Sequence, residues 1–463
     1  MQSGSRPSGR RASRNDSRRR AELSAPANAL TVVLVIALGA VAVSSWRASA
    51  TLGQDGAPQD WAADIGAVAS DVERATGWSF DEPVDVRFVG ASRAGDSADD
   101  ARIAATTRAM DDELARALGA SAGTGPESGS GGGPGADGPD AWYDPATRRI
   151  TVARADLDEP GARRLVVHEL THALQHQTLG AVVADASPSS VERALLEGHA
   201  QMVAADDAAA RGGPAVGEVV DGRHALGEAT VRAVLAWRGA GELRRVLGGA
   251  GADPGLLFDP VGRLTGGAAV ETGEVSTPPA LDGALVRRAS LGPLGWLEAL
   301  AEPAGLPAAL RAAYGWRSDV YELRLVGDRA CVSAVLAGED VLDGVELQAA
   351  LLAWATASPD AERTVRLEGD EVLVTSCETP APPGRESSEP ATAPQPPAVW
   401  APLWVTTLVT SSALSENGPP APVARCAAID AVAGMPLRDL ADPEAPRAAL
   451  EVRFLDALPG CDR

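Results

Sequence analysis

The sequence predicts an α+β protein: a mainly helical body with a small sheet, followed by a smaller α+β region. Apolar residues make up 45% of the 463 residues, which is ample for a packed core. Helical apolar periodicity dominates residues 58–315, where strand-like segments are few and short. From residue 316 to 379 the pattern changes, because strand-like segments flank a single helix there.

The amino-terminal segment predicts export. Residues 1–28 form a basic head that is followed by an apolar run, ALTVVLVIALGAVAVSSW, over residues 29–46. This run is about long enough to cross a bilayer, and the positive-inside rule keeps the head in the cytoplasm. We therefore expect a single-pass cell-membrane protein with an extracytoplasmic body. Because Ala48-Ser49-Ala50 resembles a signal-peptidase site, secretion after cleavage is the alternative.

The exported body is acidic and contains all the cysteines. The whole chain has a net charge of −22, although residues 1–50 carry eight Arg against only Asp16 and Glu22. An acidic body argues against a nucleic-acid partner, since phosphate binding requires clustered cations. An even number of cysteines outside the cytoplasm predicts disulfides. Of the three possible pairings we favour the sequential one, Cys331–Cys377 and Cys426–Cys461.

The body divides further by composition. Residues 119–141 are Gly- and Ser-rich and are expected to form a flexible insert within the domain at 58–315. The segment RRITVA (148–153) is predicted to be a strand and a possible sheet edge. Helical segments are expected at about 222–247 and 284–314, a Pro-rich linker at 380–398 and a small appendage at 399–463.

The candidate metal-binding residues lie in LVVHELTHALQHQ (165–177), which contains three of the five histidines of the chain. His168 and His172 are four residues apart, so a helix presents both imidazoles on one face to one metal ion. Glu169, at the edge of that face, is placed to meet a metal-bound water as a general base. His176 lies about 12 Å from His168 along the helix, which is too far for three histidines to share one ion.

The third ligand must then come from another element. The next helical segment offers two glutamates. Glu192 ends an S-x-x-E capping box that gives it a local structural role. Glu197 instead lies in mid-helix among small or neutral residues, where a carboxylate requires a partner, and the neighbouring Gly198 allows a second helix to approach. Glu197 is therefore the predicted third ligand.

HELTHALQ with the later LLEGHA resembles the gluzincin pattern of zinc metallopeptidases. It is similar, more narrowly, to exported bacterial proteins with H-E-L-T-H-A-L-Q and L-x-E-G-x-A, over residues from about 61 to 316. The resemblance implies a zincin-like domain with an active-site helix, one catalytic Zn²⁺ held by His168, His172 and Glu197, and Glu169 as base. Many gluzincins have an Asp at the position of Gln201, whose amide would hold a ligand histidine here.

The implied activity is hydrolysis of a peptide or protein substrate. Two imidazoles and one carboxylate leave a fourth zinc position for water, and Glu169 takes its proton. A second donor for the developing oxyanion is open among Tyr143, His199 and His224. Two alternatives remain: a non-catalytic envelope protein that binds a partner on a zinc-binding, peptidase-like fold, and a scaffold in which the motif is accidental.

Overall fold

Two small sheets and a majority of helices make up the structure, a computed structural model, which confirms the α+β class. None of the helices it describes is long and apolar enough to cross a membrane. The predicted head, anchor and linker, and nearly all of the 119–141 insert, lie outside the described residues. The structure describes residues 60–89, 114–118, 140–159, 161–180, 191–212, 222–248, 253–265, 273–327, 329–357, 362–378, 398–415, 418–441 and 446–461.

The first sheet contains β1 (Asp85–Phe88), β2 (Ala141–Asp144) and β3 (Arg149–Val152) in the order β1-β3-β2. β3 pairs parallel with β1 and antiparallel with β2. The prediction that RRITVA forms a sheet edge is therefore wrong, because β3 is the central strand. Asp144 accepts hydrogen bonds from Ala146 N and Thr147 Oγ1, and this local turn folds β2 back as the edge strand.

The helix that carries the histidines packs against β2 and β3 of this sheet. This helix, α2 (Ala162–Leu179), is anchored by Arg163, whose guanidinium bridges Asp71 on α1 (Ala63–Thr76) and Asp207 on α3 (Val191–Ala210). Burial of Val166, Leu170 and Leu174 fixes the opposite face of α2 in the core. The helices are α1 (Ala63–Thr76), α2 (Ala162–Leu179), α3 (Val191–Ala210), α4 (Gly222–Arg238), α5 (Ala240–Leu247) and α6 (Pro260–Thr265).

Helices α3 and α4 cross in backbone contact, as Gly198 suggested. A Cβ on Gly198 would lie 2.1 Å from the carbonyl carbon of Gly227. A Cβ on Gly227 would lie 1.8 Å from the carbonyl oxygen of Ala194. Neither position has room for a side chain, so two glycines set the distance between these helices.

The second sheet has five strands in the order β4-β5-β6-β8-β7. Its first strand lies before residue 316, so the prediction of helix throughout 284–314 is wrong for residues 284–289. That strand is short, and it is recognisable only through its antiparallel pairing with β5. The elements are β4 (Ala284–Ala289), α7 (Gly292–Ala301), α8 (Leu306–Tyr314), β5 (Trp316–Val326), β6 (Arg329–Gly338), α9 (Val341–Ala357), β7 (Glu362–Glu368) and β8 (Glu371–Cys377).

Helical residues 114–118 connect distant parts of the chain. Ser376 on β8 donates a hydrogen bond to Ala117 O, and the indole of Trp354 on α9 donates to Leu118 O. Arg363 on β7 also donates to Leu118 O. Side chains of β7, β8 and α9 thus donate hydrogen bonds to carbonyl groups of this helical segment.

The carboxy-terminal helices are α10 (Trp400–Ala413), α11 (Ala421–Ala433), α12 (Leu437–Leu440) and α13 (Arg447–Cys461). Val399, just before α10, packs closely on Gly222 at the start of α4. A Cβ added to Gly222 would lie 2.4 Å from Cγ1 of Val399. Arg425 on α11 pairs with Asp259 at 2.7 Å. The sequential disulfide prediction is confirmed, since Cys331 is bonded to Cys377 and Cys426 to Cys461.

Asp319 on β5 is a buried carboxylate that stabilises the start of α7. It accepts hydrogen bonds from the Ser290 hydroxyl, from the backbone amides of Leu291 and Gly292 and from the indole of Trp316. These donors compensate the cost of burying the carboxylate.

We expect Asp319→Ala to lower the free energy of unfolding by about 2–3 kcal/mol, because several buried donors would lose their acceptor. Denaturant unfolding measures the change. Asp370→Ala is the control, because Asp370 is 66% exposed and its ion pair with Arg317 spans 3.5 Å; a change of at most about 0.5 kcal/mol is expected there. Equal losses in the two variants would contradict the role of Asp319.

Candidate metal centre

Three potential ligand atoms converge between α2 and α3. His172 Nε2 lies 3.1 Å from His168 Nε2 and 3.0 Å from Glu197 Oε2, and His168 Nε2 lies 3.3 Å from the same oxygen. The two histidines come from successive turns of α2, and Glu197 comes from the middle of α3. The side chains of all three are recessed, with exposures of 17%, 13% and 13% for His168, His172 and Glu197.

This spacing fits a tetrahedral zinc ion. With zinc bonds to nitrogen and oxygen of about 2.0–2.2 Å, neighbouring ligand atoms lie about 3.3–3.5 Å apart. The three observed separations are close to that edge length. Two imidazoles and a carboxylate are also a donor set that catalytic zinc sites use. His168, His172 and Glu197 could therefore hold one ion together.

Electrostatics couple Glu197 to the histidines. Burial alone would raise the pKa of Glu197, but its contacts with His172 and His168 hold that pKa well below the ordinary value. Burial alone would lower the pKa of His172, but chiefly Glu197 raises it to about 9. The other carboxylate oxygen of Glu197, Oε1, lies 3.5 Å from the guanidinium of Arg193. Glu197 is therefore ionised and oriented.

Glu169 occupies the edge of the same site. It follows His168 on α2 and is 8% exposed. Its carboxylate makes no hydrogen bond to a residue that the structure describes. Its negative charge contributes to the raised pKa of His172, which means that the two groups are close enough to interact. Glu169 is thus a buried carboxylate beside the ligand group and outside it.

Gln175, a residue that was not predicted to be part of the site, contacts Nδ1 of His172, the ring nitrogen that does not face Glu197. His172 Nδ1 lies 2.9 Å from Gln175 Oε1, one helical turn further along α2. Gln201, which lies on α3 and is 8% exposed, was the residue predicted for this role. The structure assigns the contact to Gln175 instead. The i, i+3 spacing of HALQ on one helix was the available signal.

Two of the oxyanion candidates lie away from the converging ligand atoms. His199 is 1% exposed, rests against the ring of Trp78 and contacts the Gln175 amide at 3.0 Å. Burial lowers the pKa of His199 to about 4, so its ring is neutral. Tyr143 hydrogen-bonds His176 Nδ1 at 2.9 Å, and burial raises the pKa of the Tyr143 hydroxyl.

His224 is the candidate that lies beside the ligands. Its Nε2 is 3.7 Å from Glu197 Oε2, and its ring centroid is 6.3 Å from that of His168. It sits on α4 one turn before Gly227, so the close crossing of α3 and α4 brings it there. His176, in contrast, is outside the converging group, as the helix geometry predicted.

A second cluster of metal-binding residue types, Cys426, Asp430 and Cys461, is not a comparable site, because its two sulfur atoms form a disulfide. Comparison of the chain with protein-family models, with curated proteins and with solved structures gives no match. The resemblance to gluzincins therefore rests on the motif residues alone.

Proposed function

We propose that this chain is a membrane-anchored, extracytoplasmic zinc metallopeptidase with a zincin-like catalytic domain. The observation that carries the proposal is the convergence of His168 Nε2, His172 Nε2 and Glu197 Oε2 within 3.3 Å of one another. Glu169 beside them supplies the general base that this chemistry needs. The basic head and the apolar run at 29–46 support export and anchoring.

The three ligand residues would hold one Zn²⁺. When bound, the ion would polarise the scissile carbonyl and lower the pKa of a coordinated water to about 7. His168 and His172 must be neutral to bind it, and Glu197 provides the only negative charge among the ligands. The recessed position of these side chains limits access of bulk water, which strengthens electrostatic interactions within the site.

Glu169 performs the proton transfers. Its carboxylate accepts a proton from the attacking water as the water oxygen bonds to the carbonyl carbon. It then delivers that proton to the amide nitrogen, and the carbon–nitrogen bond breaks to release an amine and a carboxylic acid. His224, whose Nε2 lies 3.7 Å from Glu197 Oε2, is the side chain best positioned to donate to the developing oxyanion.

An extended peptide is the substrate class that this arrangement suits. Among the described residues β2 pairs on one side only, with β3, and Tyr143 at its centre contacts α2 through His176. The free side of β2 could accept a peptide as an added strand through main-chain hydrogen bonds. β2 thus takes the role predicted for RRITVA.

The zinc content of the purified chain tests the proposal. We expect about one equivalent in the wild type and loss of at least 10-fold in zinc affinity in Glu197→Ala, because one of three protein ligands is removed. Glu192→Ala is the control, since Glu192 lies at the start of the same helix and outside the converging group. A wild-type chain without zinc, or a Glu197→Ala variant with unchanged affinity, would refute the assigned site.

A further inference from the structure

Gln175 is fully buried between the two helices that carry the ligands. Its amide oxygen faces His172 Nδ1 at 2.9 Å, and its amide nitrogen lies 2.9 Å from the carbonyl oxygen of Leu196. Leu196 directly precedes Glu197 on α3. One side chain therefore contacts a ligand imidazole on α2 and the backbone next to the ligand carboxylate on α3.

The hydrogen-bond chemistry leaves one arrangement for this amide. The Leu196 carbonyl can only accept, so the amide nitrogen of Gln175 must face it. The amide oxygen then faces His172 Nδ1 and can only accept, which requires the proton of His172 to be on Nδ1. In the neutral ring that binds zinc, the lone pair of His172 is consequently on Nε2, the atom that lies 3.0 Å from Glu197 Oε2.

His199 is the third hydrogen-bond partner of the Gln175 amide. Its Nδ1 lies 3.0 Å from the Gln175 amide nitrogen, and it is the acceptor for the second hydrogen of that amide. His199 is itself fixed by burial and by the ring of Trp78, 5.3 Å away between centroids. Both amide hydrogens and the amide oxygen of Gln175 are thus used, so the side chain has no alternative orientation.

We propose that Gln175, anchored by His199, is the positioning residue of the metal site: it fixes the tautomer of His172 and couples α2 to the helix of Glu197. The inference rests on the proposed zinc site. In many gluzincins, by the resemblance above, an aspartate on the third-ligand helix has this role. Here the neutral amide of Gln175, on the helix of the histidines, has this role. The hydrogen-bond partner of His172 therefore adds no negative charge to the proposed metal site.

Zinc affinity of the full-length chain, purified in a non-ionic detergent and measured by competition with a chelator, tests the inference. Gln175→Met is close to isosteric and cannot accept from His172, so we expect a loss of zinc affinity of about 10–100-fold. Gln201→Met is the matched control: the same substitution at another buried glutamine, where we expect a change of less than about twofold. The unfolding temperature of both variants in EDTA shows whether each one folds.

His199→Phe keeps an aromatic ring against Trp78 and removes the acceptor for Gln175, so zinc affinity should fall by a smaller factor than in Gln175→Met. This variant also tests the inference if Gln175→Met does not fold. Wild-type zinc affinity in Gln175→Met, or in His199→Phe where Gln175→Met is unfolded, would overturn it. A wild-type chain that binds no zinc would overturn both this inference and the proposed function. Zinc binding that depends on Gln175 without peptide hydrolysis would support the inference and contradict only the activity.

Discussion

Glu169→Gln is expected to reduce kcat/KM for peptide hydrolysis by about 10²–10⁴-fold and to leave the zinc content unchanged. The amide keeps the size of the side chain but cannot accept a proton from water, which removes the general base. Glu169 is outside the converging group, so the proposed metal-binding atoms of His168, His172 and Glu197 are unaffected. Cleavage of a broad peptide library, with zinc measured on the same samples, gives both readouts.

Glu192→Gln is the matched control for this variant. It makes the same substitution one helix further along the chain, at a residue outside the converging ligands, and should retain wild-type turnover. If Glu169→Gln cleaves peptides as fast as the wild type, Glu169 is not the base. If the wild-type chain binds zinc and cleaves nothing in the library, the alternative of a non-catalytic, zinc-binding envelope protein is favoured.

The convergence of the three proposed ligands could be predicted from the sequence because most of it follows from local features of two helices. The spacing of His168 and His172 needs only a helix to bring their ring nitrogens together, and the rise of the helix excludes His176. Glu197 could be selected because a carboxylate among small residues in mid-helix requires a partner. The structure brings its Oε2 to 3.0 Å from His172 Nε2, which is the contact that this argument required.

The residues next to the proposed ligands could not be identified from the sequence when their positions depend on tertiary contacts. Gln175 and Gln201 are both glutamines one turn from a predicted ligand. Only the packing of α2 on α3 puts the amide of Gln175 next to Leu196 O and His199. His224 likewise depends on the crossing of α3 and α4, to which the sequence pointed only through Gly198.

The two incorrect predictions about the fold, for RRITVA and for β4, also concern features that depend on tertiary contacts. The strand order of a sheet depends on pairing between distant segments, so the alternating pattern of RRITVA predicts a strand without showing whether it is central or at an edge. The β4 segment lies between helices and is only six residues long, and its strand character follows from pairing with residues about 35 positions later. Short segments of this kind do not differ from helix ends in local pattern.

Gly227→Ala is expected to lower the free energy of unfolding by about 3–4 kcal/mol. This loss is at the upper end of those caused by adding a methyl group to a tightly packed site. The added methyl group would lie 1.8 Å from the Ala194 carbonyl oxygen, which is backbone and cannot move aside as a side-chain tip would. The helices α3 and α4 must therefore separate. Because His224 is one turn from Gly227, this separation also moves its ring away from Glu197.

Gly241→Ala separates this close-packing effect from the general effect of removing a helical glycine. Gly241 lies in α5, and a Cβ there would meet no atom within 4 Å, so the substitution should be neutral or stabilise by up to about 1 kcal/mol. Gly198→Ala, whose Cβ would lie 2.1 Å from Gly227, should resemble Gly227→Ala in denaturant unfolding. If both crossing variants were as stable as Gly241→Ala, the two helices would not be in backbone contact. Because Gly198 directly follows Glu197, such contact is also required for α4 to bring His224 close to the proposed metal ligands.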